Sequence, residues 1–208
     1  MYTKYDQWLN EAKMASFNTK EEVQNWLDSM RIKNYTINED LTVDVKGNVD
    51  IIDKGLNAIQ VQFGVVTGNF YCEGNGLTTL HGGPKEVKGS FDCSYNKLTS
   101  LQGSPKEVGG NFWCNYSNLT SLEGSPKTVG GFFNCSDNKL TSLHGSPKEV
   151  KGNFDCSNNK LTSLQGSPKE VKGNFYCSYN KLVTLDGGPE EVKRDFYCHG
   201  NKLKSLNG

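Results

Sequence analysis

The stretch Gly152–Lys172 reads GNFDCSNNKLTSLQGSPKEVK, and copies of it recur in register every 21 residues from Gly68 onward. A fixed period of this length predicts a stacked array in which each unit buries its apolar face against its neighbours. An array of this kind presents a long surface rather than a deep pocket. The repeat therefore favours binding over catalysis.

The apolar positions of the unit are nearly constant. Each copy has Phe two residues before Cys, Leu five and eight residues after it, and, in the six complete copies, a closing Val. Phe and Cys are two apart, so they share one side of a strand. A Gly-(Ser/Gly)-Pro segment then predicts a turn or extended connector. Each unit is thus expected to form one short strand, a bend and an extended return. The anchoring cysteines are Cys72, Cys93, Cys114, Cys135, Cys156, Cys177 and Cys198.

The pattern Phe-x-Cys-x-x-Asn-x-Leu-x-x-Leu resembles the leucine-rich-repeat signature. The short, proline-containing unit is similar to that of bacterial and bacteriophage leucine-rich proteins. The resemblance implies a solenoid with a short parallel β-sheet on one face and mostly non-helical returns. It also implies a ladder of asparagines that bond neighbouring backbone, with a weaker rung at Ser117. The asparagines are Asn75, Asn96, Asn138, Asn159, Asn180 and Asn201.

The chain divides into a cap at residues 1–46 and a solenoid at residues 47–208. Within the solenoid, residues 47–67 form a degenerate repeat and residues 68–208 form seven repeats. In the degenerate copy Ile51 takes the Cys position, whereas Lys54 and Phe63 replace Asn and Pro. Atypical terminal repeats are common because they close the core.

The cap is predicted to hold two short helices and a β-hairpin, which shield the first turn of the solenoid. An independent binding module is the alternative. Asn18 and Glu21 resemble a capping box, so the second helix should begin near Thr19. The hairpin should turn around residues 38–40. The apolar stripes are Tyr5, Trp8, Leu9 and Ala12 for the first helix, Val23, Trp26, Leu27 and Met30 for the second, and Tyr35, Ile37, Leu41, Val43 and Val45 for the strands.

Composition limits the function classes. The formal net charge is zero, and 35% of residues are hydrophobic. Residues 1–67 carry a net charge of −3 and residues 68–208 one of +3, so neither part strongly attracts nucleic acid or membrane. The N-terminus has no apolar run, and we therefore expect neither a secretory signal nor a membrane partner. The seven cysteines favour a buried column of thiols in a reducing cytoplasm over disulfides or a metal site.

Two positions of the unit vary widely in chemistry and are the candidate partner-binding site. One lies directly before each Cys and must point outward, because its neighbours on the strand point inward. The other lies two residues after Cys. Exposed aromatic rings dominate protein interfaces, although stacking between neighbouring rings could also explain them. The candidate residues are Tyr71, Asp92, Tyr95, Trp113, Tyr116, Asn134, Asp155, Tyr176, Tyr179 and Tyr197.

Other surfaces carry weaker signals. Rows of Lys-Glu pairs and single lysines could follow phosphates, but a solvated surface balanced by Glu is the simpler interpretation. His81, His144 and His199 belong to no nucleophile or metal motif, and no catalytic residue or cofactor is predicted. The solenoid could also form a homodimer through its C-terminal end, where Asp195 brings charge to the last strand.

The sequence therefore predicts a non-enzymatic, cytoplasmic protein-binding module whose aromatic sheet face docks and masks a partner protein. The resemblance to phage leucine-rich proteins extends this to an inhibitor of a bacterial defence or regulatory protein. One alternative is a structural subunit that assembles through its C-terminal end. The other is an accessory protein that binds nucleic acid.

Overall fold

The computed structural model describes residues 17–204 as a parallel β-solenoid with little helix. Each turn takes 21 residues, so that every strand pairs with its own copy in the next turn; Phe133 lies opposite Phe154, for example. The turns contain two short strands each, and these strands form two separate sheets.

The first sheet, here called the display sheet, contains the strands that begin with the repeat Phe and the equivalent strand Val49–Asp50, in the order of the turns along the chain. The second, the return sheet, contains the N-terminal hairpin and the strands of the returns, also in chain order. Display strands are β3 (Val49–Asp50), β5 (Phe70–Tyr71), β7 (Phe91–Asp92), β9 (Phe112–Trp113), β11 (Phe133–Asn134), β13 (Phe154–Asp155), β15 (Phe175–Tyr176) and β17 (Phe196–Tyr197). Return strands are β1 (Tyr35–Ile37), β2 (Val43–Val45), β4 (Phe63–Val66), β6 (Glu86–Val87), β8 (Glu107–Val108), β10 (Thr128–Val129), β12 (Glu149–Val150), β14 (Glu170–Val171) and β16 (Glu191–Val192).

The return sheet corrects the prediction of a single sheet on one face. The returns are extended and non-helical, as expected, but they also pair with one another; Val129 lies opposite both Val108 and Val150. The physical reason is the strict period. Because every return lies directly over its equivalent, its backbone groups meet a matching partner in each neighbour, and buried backbone groups are satisfied in this way.

The interior consists of columns of identical side chains. Phe, Cys, both Leu and Val point inward, and almost all of them are buried. The phenyl rings stack along the solenoid with centroid separations of 5.1–5.4 Å from Phe70 to Phe196. Offset stacks of this kind add to the hydrophobic stabilisation that burial already provides.

The cysteines form a parallel column beside the phenyl rings. All seven are free thiols, and only Cys198 is partly exposed. Each buried thiol contacts the next turn, as when Cys135 Sγ lies 3.2 Å from Asp155 O. Burial raises the pKa of these thiols, and that of Cys177 rises to about 12. They are therefore held in the protonated, unreactive form.

The asparagine ladder joins consecutive turns through buried hydrogen bonds. Asn138 Nδ2 donates to Cys135 O and Ser136 O of its own turn and to Cys114 O of the preceding turn. Its Oδ1 accepts from Leu119 N at 3.0 Å. Ser117 makes a long contact instead, 3.4 Å from its Oγ to Asn96 N. The weaker rung predicted there is confirmed.

A second polar ladder, which the sequence analysis did not identify, runs one residue before the phenylalanines. Asn69 Oδ1 accepts from Ser90 N at 2.7 Å, and Asn111 Oδ1 accepts from Phe132 N at 2.8 Å. These bonds connect residues 21 apart and fix the beginnings of the display strands to the neighbouring turn, except where Phe132 takes the place of the asparagine.

The N-terminal end is covered by helix α1 (Lys20–Ser29) and the β1–β2 hairpin. The capping box predicted at Asn18 and Glu21 lies one residue later: Thr19 Oγ1 accepts from Glu22 N, and Glu22 Oε2 accepts from Thr19 N. Thr19 is the N-cap residue, and its hydroxyl reaches the amide of Glu22 at the N3 position, so the capping box is formed by Thr19 and Glu22. The helix predicted over Tyr5–Ala12 lies outside the described residues.

The cap continues the solenoid in two ways. Strand β2 pairs in parallel with β4, so the hairpin extends the return sheet. Phe63, at the repeat position that elsewhere holds Pro, closes the phenyl stack by meeting Phe70 edge-on at 5.2 Å, and Trp26 of α1 packs edge-on against Phe63. Within residues 17–204 no helix is both long and apolar enough to span a membrane.

We predict that Ser117→Asn stabilises the protein by about 1 kcal/mol, because the new amide supplies an acceptor for Leu98 N and donors for Cys93 O and Cys114 O. The converse variant, Asn138→Ser, should cost about 2–4 kcal/mol, since it leaves several buried backbone groups unpaired. Urea unfolding of both variants measures the two effects. Equal stability of wild type and Ser117→Asn would contradict the ladder interpretation.

Candidate protein-binding face

Two columns of side chains cover the outer surface of the display sheet, and together they are called the display face. The pre-cysteine column lies on the strands themselves and is half-buried except at its last member, which is exposed. Its members are Tyr71, Asp92, Trp113, Asn134, Asp155, Tyr176 and Tyr197. The structure thus places every strand residue of the predicted site outside the core.

The second column, the turn column, lies where the chain leaves each display strand. Its members are Gly74, Tyr95, Tyr116, Asp137, Asn158, Tyr179 and Gly200. All seven adopt left-handed backbone conformations, with φ of 53° at Tyr95, 49° at Tyr116 and 55° at Tyr179. Gly, Asn and Asp tolerate this conformation, whereas a bulky residue in it is strained. Backbone strain of this kind costs about 1–3 kcal/mol per residue.

The strained tyrosines are also the most exposed large hydrophobic side chains among residues 17–204. Tyr95, Tyr116 and Tyr179 have exposed fractions of 57%, 49% and 58%. Burial therefore does not compensate fully for their conformation. Large exposed aromatic side chains at strained positions are the kind of feature that accompanies function rather than stability.

Ring stacking within the display face is present but incomplete. Tyr95 stacks on Tyr116 with a centroid separation of 4.7 Å, and Tyr176 stacks on Tyr197 at 4.8 Å. Tyr179 meets His199 edge-on at 4.9 Å. A stacked pair contributes about 0.5–1.5 kcal/mol, which offsets part of the strain at Tyr95 and Tyr116. Stacking accounts for two pairs and leaves Tyr179 without a parallel partner among the described residues.

Serine residues after the cysteines hold the acidic members of the pre-cysteine column. Asp92 Oδ1 accepts from Ser94 N at 2.9 Å, and Asp155 Oδ1 accepts from Ser157 N at 2.8 Å. Asn134 makes the same bond to Ser136 N at 3.0 Å. An uncharged amide therefore fits this site as well as a carboxylate does.

The electrostatics of these carboxylates differ from those of ordinary surface acids. Burial raises the pKa of Asp92 and that of Asp155, although the serine hydrogen bonds act in the opposite direction. Burial also raises the pKa of Glu73, and the charges of Asp92, Asp50 and Asp53 raise it further. Asp50 and Asp53 lie one turn before the first members of the two columns and Glu73 lies between the columns, so these acids form one electrostatic surface.

The outer surface of the return sheet has a different character. Lysines there pair with glutamates of the same turn, as Lys88 does with Glu86 and Lys172 with Glu170. Where Gly109 and Gly130 replace the lysine, a shallow groove of about 250 Å³ opens. None of the predicted site residues lines this groove.

The left-handed turn column is the feature that sequence reasoning missed. Its composition held the signal, since Gly74, Gly200, Asp137 and Asn158 are the residue types that favour positive φ. Over residues 17–204, no three His, Cys, Asp or Glu side chains converge in a way that could hold a metal ion.

Comparison with protein-family models and with curated proteins finds no match to this chain.

We predict that replacing a strained tyrosine by the asparagine found at the same column position stabilises the protein. Tyr179→Asn should raise the unfolding free energy by about 1 kcal/mol, and Tyr95→Asn should raise it less, because that variant also loses the Tyr116 stack. Urea unfolding measures both. A loss of stability in Tyr179→Asn would show that its ring is needed by the fold.

Asp92→Asn should stabilise the protein at neutral pH. The pKa of Asp92 is raised by folding, so its contribution is fully present below the unfolded-state pKa of about 3.9 and is lost as the pH rises through the folded-state value. Asn cannot lose a proton. The melting temperature of the variant should therefore exceed that of wild type at about pH 7, and the difference should shrink at about pH 3. A difference that does not depend on pH would contradict this.

Proposed function

We propose that this chain is a non-enzymatic protein-binding module that docks a partner protein through the display face. Docking covers a surface of the partner, so the mechanism is steric masking. The buried, free thiols suit a reducing cytoplasm, which is the compartment we propose. The sharper form of the proposal, suggested by the resemblance to phage leucine-rich proteins, is inhibition of a bacterial defence or regulatory protein.

The observation that carries this proposal is the set of exposed tyrosines held at left-handed positions. Asn158 and Gly74 show that the repeat accommodates small, well-suited residues at the same column position. Tyrosine at Tyr95, Tyr116 and Tyr179 is therefore not required by the turn. Tyr and Trp provide large contact areas with few rotatable bonds and are enriched among interface residues that dominate affinity.

The fold type also belongs to this proposal. We propose that the solenoid is of the leucine-rich-repeat type. The asparagine ladder supports this, because the side chains bond the backbone of two successive turns as the resemblance implies. The second sheet on the returns is the feature that departs from the simplest form of that fold, in which one sheet lies on one face.

The proposal predicts that a triple variant, Trp113→Asn, Tyr116→Asn and Tyr176→Asn, loses capture of the partner. Each change introduces a residue that the same column already holds, at Asn134 or Asn158, so the fold should be preserved. Loss of three interface rings should weaken binding by at least about a hundredfold, at about 1 kcal/mol or more per ring. Quantitative affinity purification from bacterial lysate compares the variant with wild type.

A control variant carries repeat-compatible changes outside the display face. Glu149→Thr and His144→Gln also introduce residues that the repeat holds at those positions, at Thr128 and Gln165. This control should capture the same proteins as wild type. Retention of capture by the triple ring variant, with its fold verified by circular dichroism, would contradict the proposal.

A second candidate function is self-assembly through the last described turn. Phe196 is the only exposed member of the phenyl column among the described residues, and Tyr197 beside it is also exposed. Strands β16 and β17 form the edges of their sheets. Under this alternative the protein sediments as a concentration-dependent dimer, and Asp195→Lys changes the association constant. A monomer at all concentrations would exclude it.

A further inference from the structure

In the N-terminal half of the display face, aromatic residues and acids lie in neighbouring turns. This acidic aromatic patch contains the rings of Tyr71, Tyr95, Trp113 and Tyr116 and the carboxylates of Asp50, Asp53, Glu73 and Asp92. It covers the turns of strands β3, β5, β7 and β9, which pair consecutively. With a strand spacing of about 4.8 Å, the patch extends about 14 Å along the solenoid.

The two columns of the display face contain no Lys or Arg. Between the pre-cysteine column and the turn column, no turn of the solenoid has Lys or Arg. The row of lysines two residues beyond the turn column starts at Lys97, whereas the two turns before it have Gly55 and Gly76 in that place. In these turns the patch has two exposed lysine neighbours, Lys54 directly after Asp53 and Lys97 two residues after Tyr95, against its four carboxylates.

The acids of the patch occupy positions where neutral residues fit. In the column of Asp92, Asn134 makes the equivalent hydrogen bond to a serine without carrying a charge. Likewise, Asn158 stands in the column of Asp53, and Ser94 stands in the column of Glu73. Desolvation acts against the charged form of Asp92 and Glu73. The fold therefore does not require acids at these positions, and their charge is available for recognition.

Among residues 17–204, two buried acceptor oxygens between the columns of the display face have no donor. Glu73 Oε2 and Asn115 Oδ1 are buried and lack a hydrogen-bond partner among the described residues. Both residues directly follow a cysteine, in the turns of Tyr71 and Trp113. Unpartnered acceptors are uncommon in folded proteins, and they favour a ligand rich in N–H donors. Guanidinium and ammonium groups carry only donors.

We propose that the acidic aromatic patch binds an arginine-rich, positively charged segment of a partner protein. This deepens, and rests on, the protein-docking function proposed above. Arg combines the three properties that the patch demands: it pairs with carboxylates, donates several hydrogen bonds and stacks its planar group on aromatic rings. Charge complementarity of this kind selects the partner and accelerates its association. Nucleic acid and anionic membrane surfaces carry the wrong charge.

The test uses fluorescein-labelled octa-arginine as the probe and octa-citrulline, its uncharged isostere, as the reference, at about 150 mM salt, where exposed charges are already screened. A patch variant carries Asp50→Asn, Glu73→Ser and Asp92→Asn. A control variant carries Glu149→Thr, Glu170→Thr and Glu191→Thr on the return sheet. Both variants change the net charge by the same amount, and each substitution introduces a residue that the repeat holds in that column, at Asn134, Ser94 or Thr128.

Octa-arginine should bind wild type more tightly than octa-citrulline does. The patch variant should weaken octa-arginine binding by about tenfold, which is about twofold per carboxylate. The control variant should bind as wild type does. Equal weakening in both variants would show that net charge alone is responsible and would overturn the inference, as would octa-arginine binding no tighter than octa-citrulline.

Affinity purification from bacterial lysate distinguishes failure of this inference from failure of the docking function on which it rests. If the variant of Trp113, Tyr116 and Tyr176 loses capture and the patch variant keeps it, the docking function stands and the proposal of a basic partner is wrong. Capture that survives in the ring variant overturns the docking function itself. Loss of capture in both the ring variant and the patch variant supports the two together.

Discussion

The whole structure depends on one constraint: each turn lies directly over a copy of itself, 21 residues away. Under this constraint, an inward side chain must be compatible with the same side chain above and below it. Phenyl rings satisfy it by stacking, thiols by contacting the next carbonyl, and asparagines by bonding two turns at once. The asparagine is the most demanding, because its amide replaces water for backbone groups that no strand partner reaches. Asn138 and Ser117 show the two outcomes, a complete rung and a deficient one.

Outward positions are free of that constraint, and their variation is therefore informative about function. Framework residues scarcely change between turns, whereas Asp92, Trp113 and Asn134 follow one another in a single column. Under the proposed function, stability and recognition depend on separate residues, the first set in the columns of the core and the second on the display face. The strained Tyr179 and the half-buried Asp92 are residues whose conformation or burial costs stability. Such conflicts between local preference and retained residue are expected at binding sites.

Much of this architecture can be predicted from sequence because the repeat multiplies weak signals. One Phe-x-Cys pair predicts little, but seven in register predict the strand, the inward face and the stacking direction. Asn138 and the deficient rung at Ser117 follow from the same comparison. The return sheet does not, because its strands are only two residues long, as at Glu149–Val150, and their pairing arises from the stacking of whole turns. The backbone conformation of Tyr95 was also missed: its identity argues against positive φ, and only its column neighbours Gly74 and Asn158 reveal it.

We propose that the display face, and no other surface, meets the partner. Site-specific photo-crosslinking tests it most directly. A benzophenone side chain is introduced at Tyr95, at Tyr116 and at Tyr179, and, for comparison, at His144, which is also exposed and lies outside the display face. On irradiation in cells, we expect crosslinks to the same protein from the display-face positions and none from His144. Crosslinks from His144, together with no crosslinks from Tyr95, Tyr116 and Tyr179, would contradict docking through the display face.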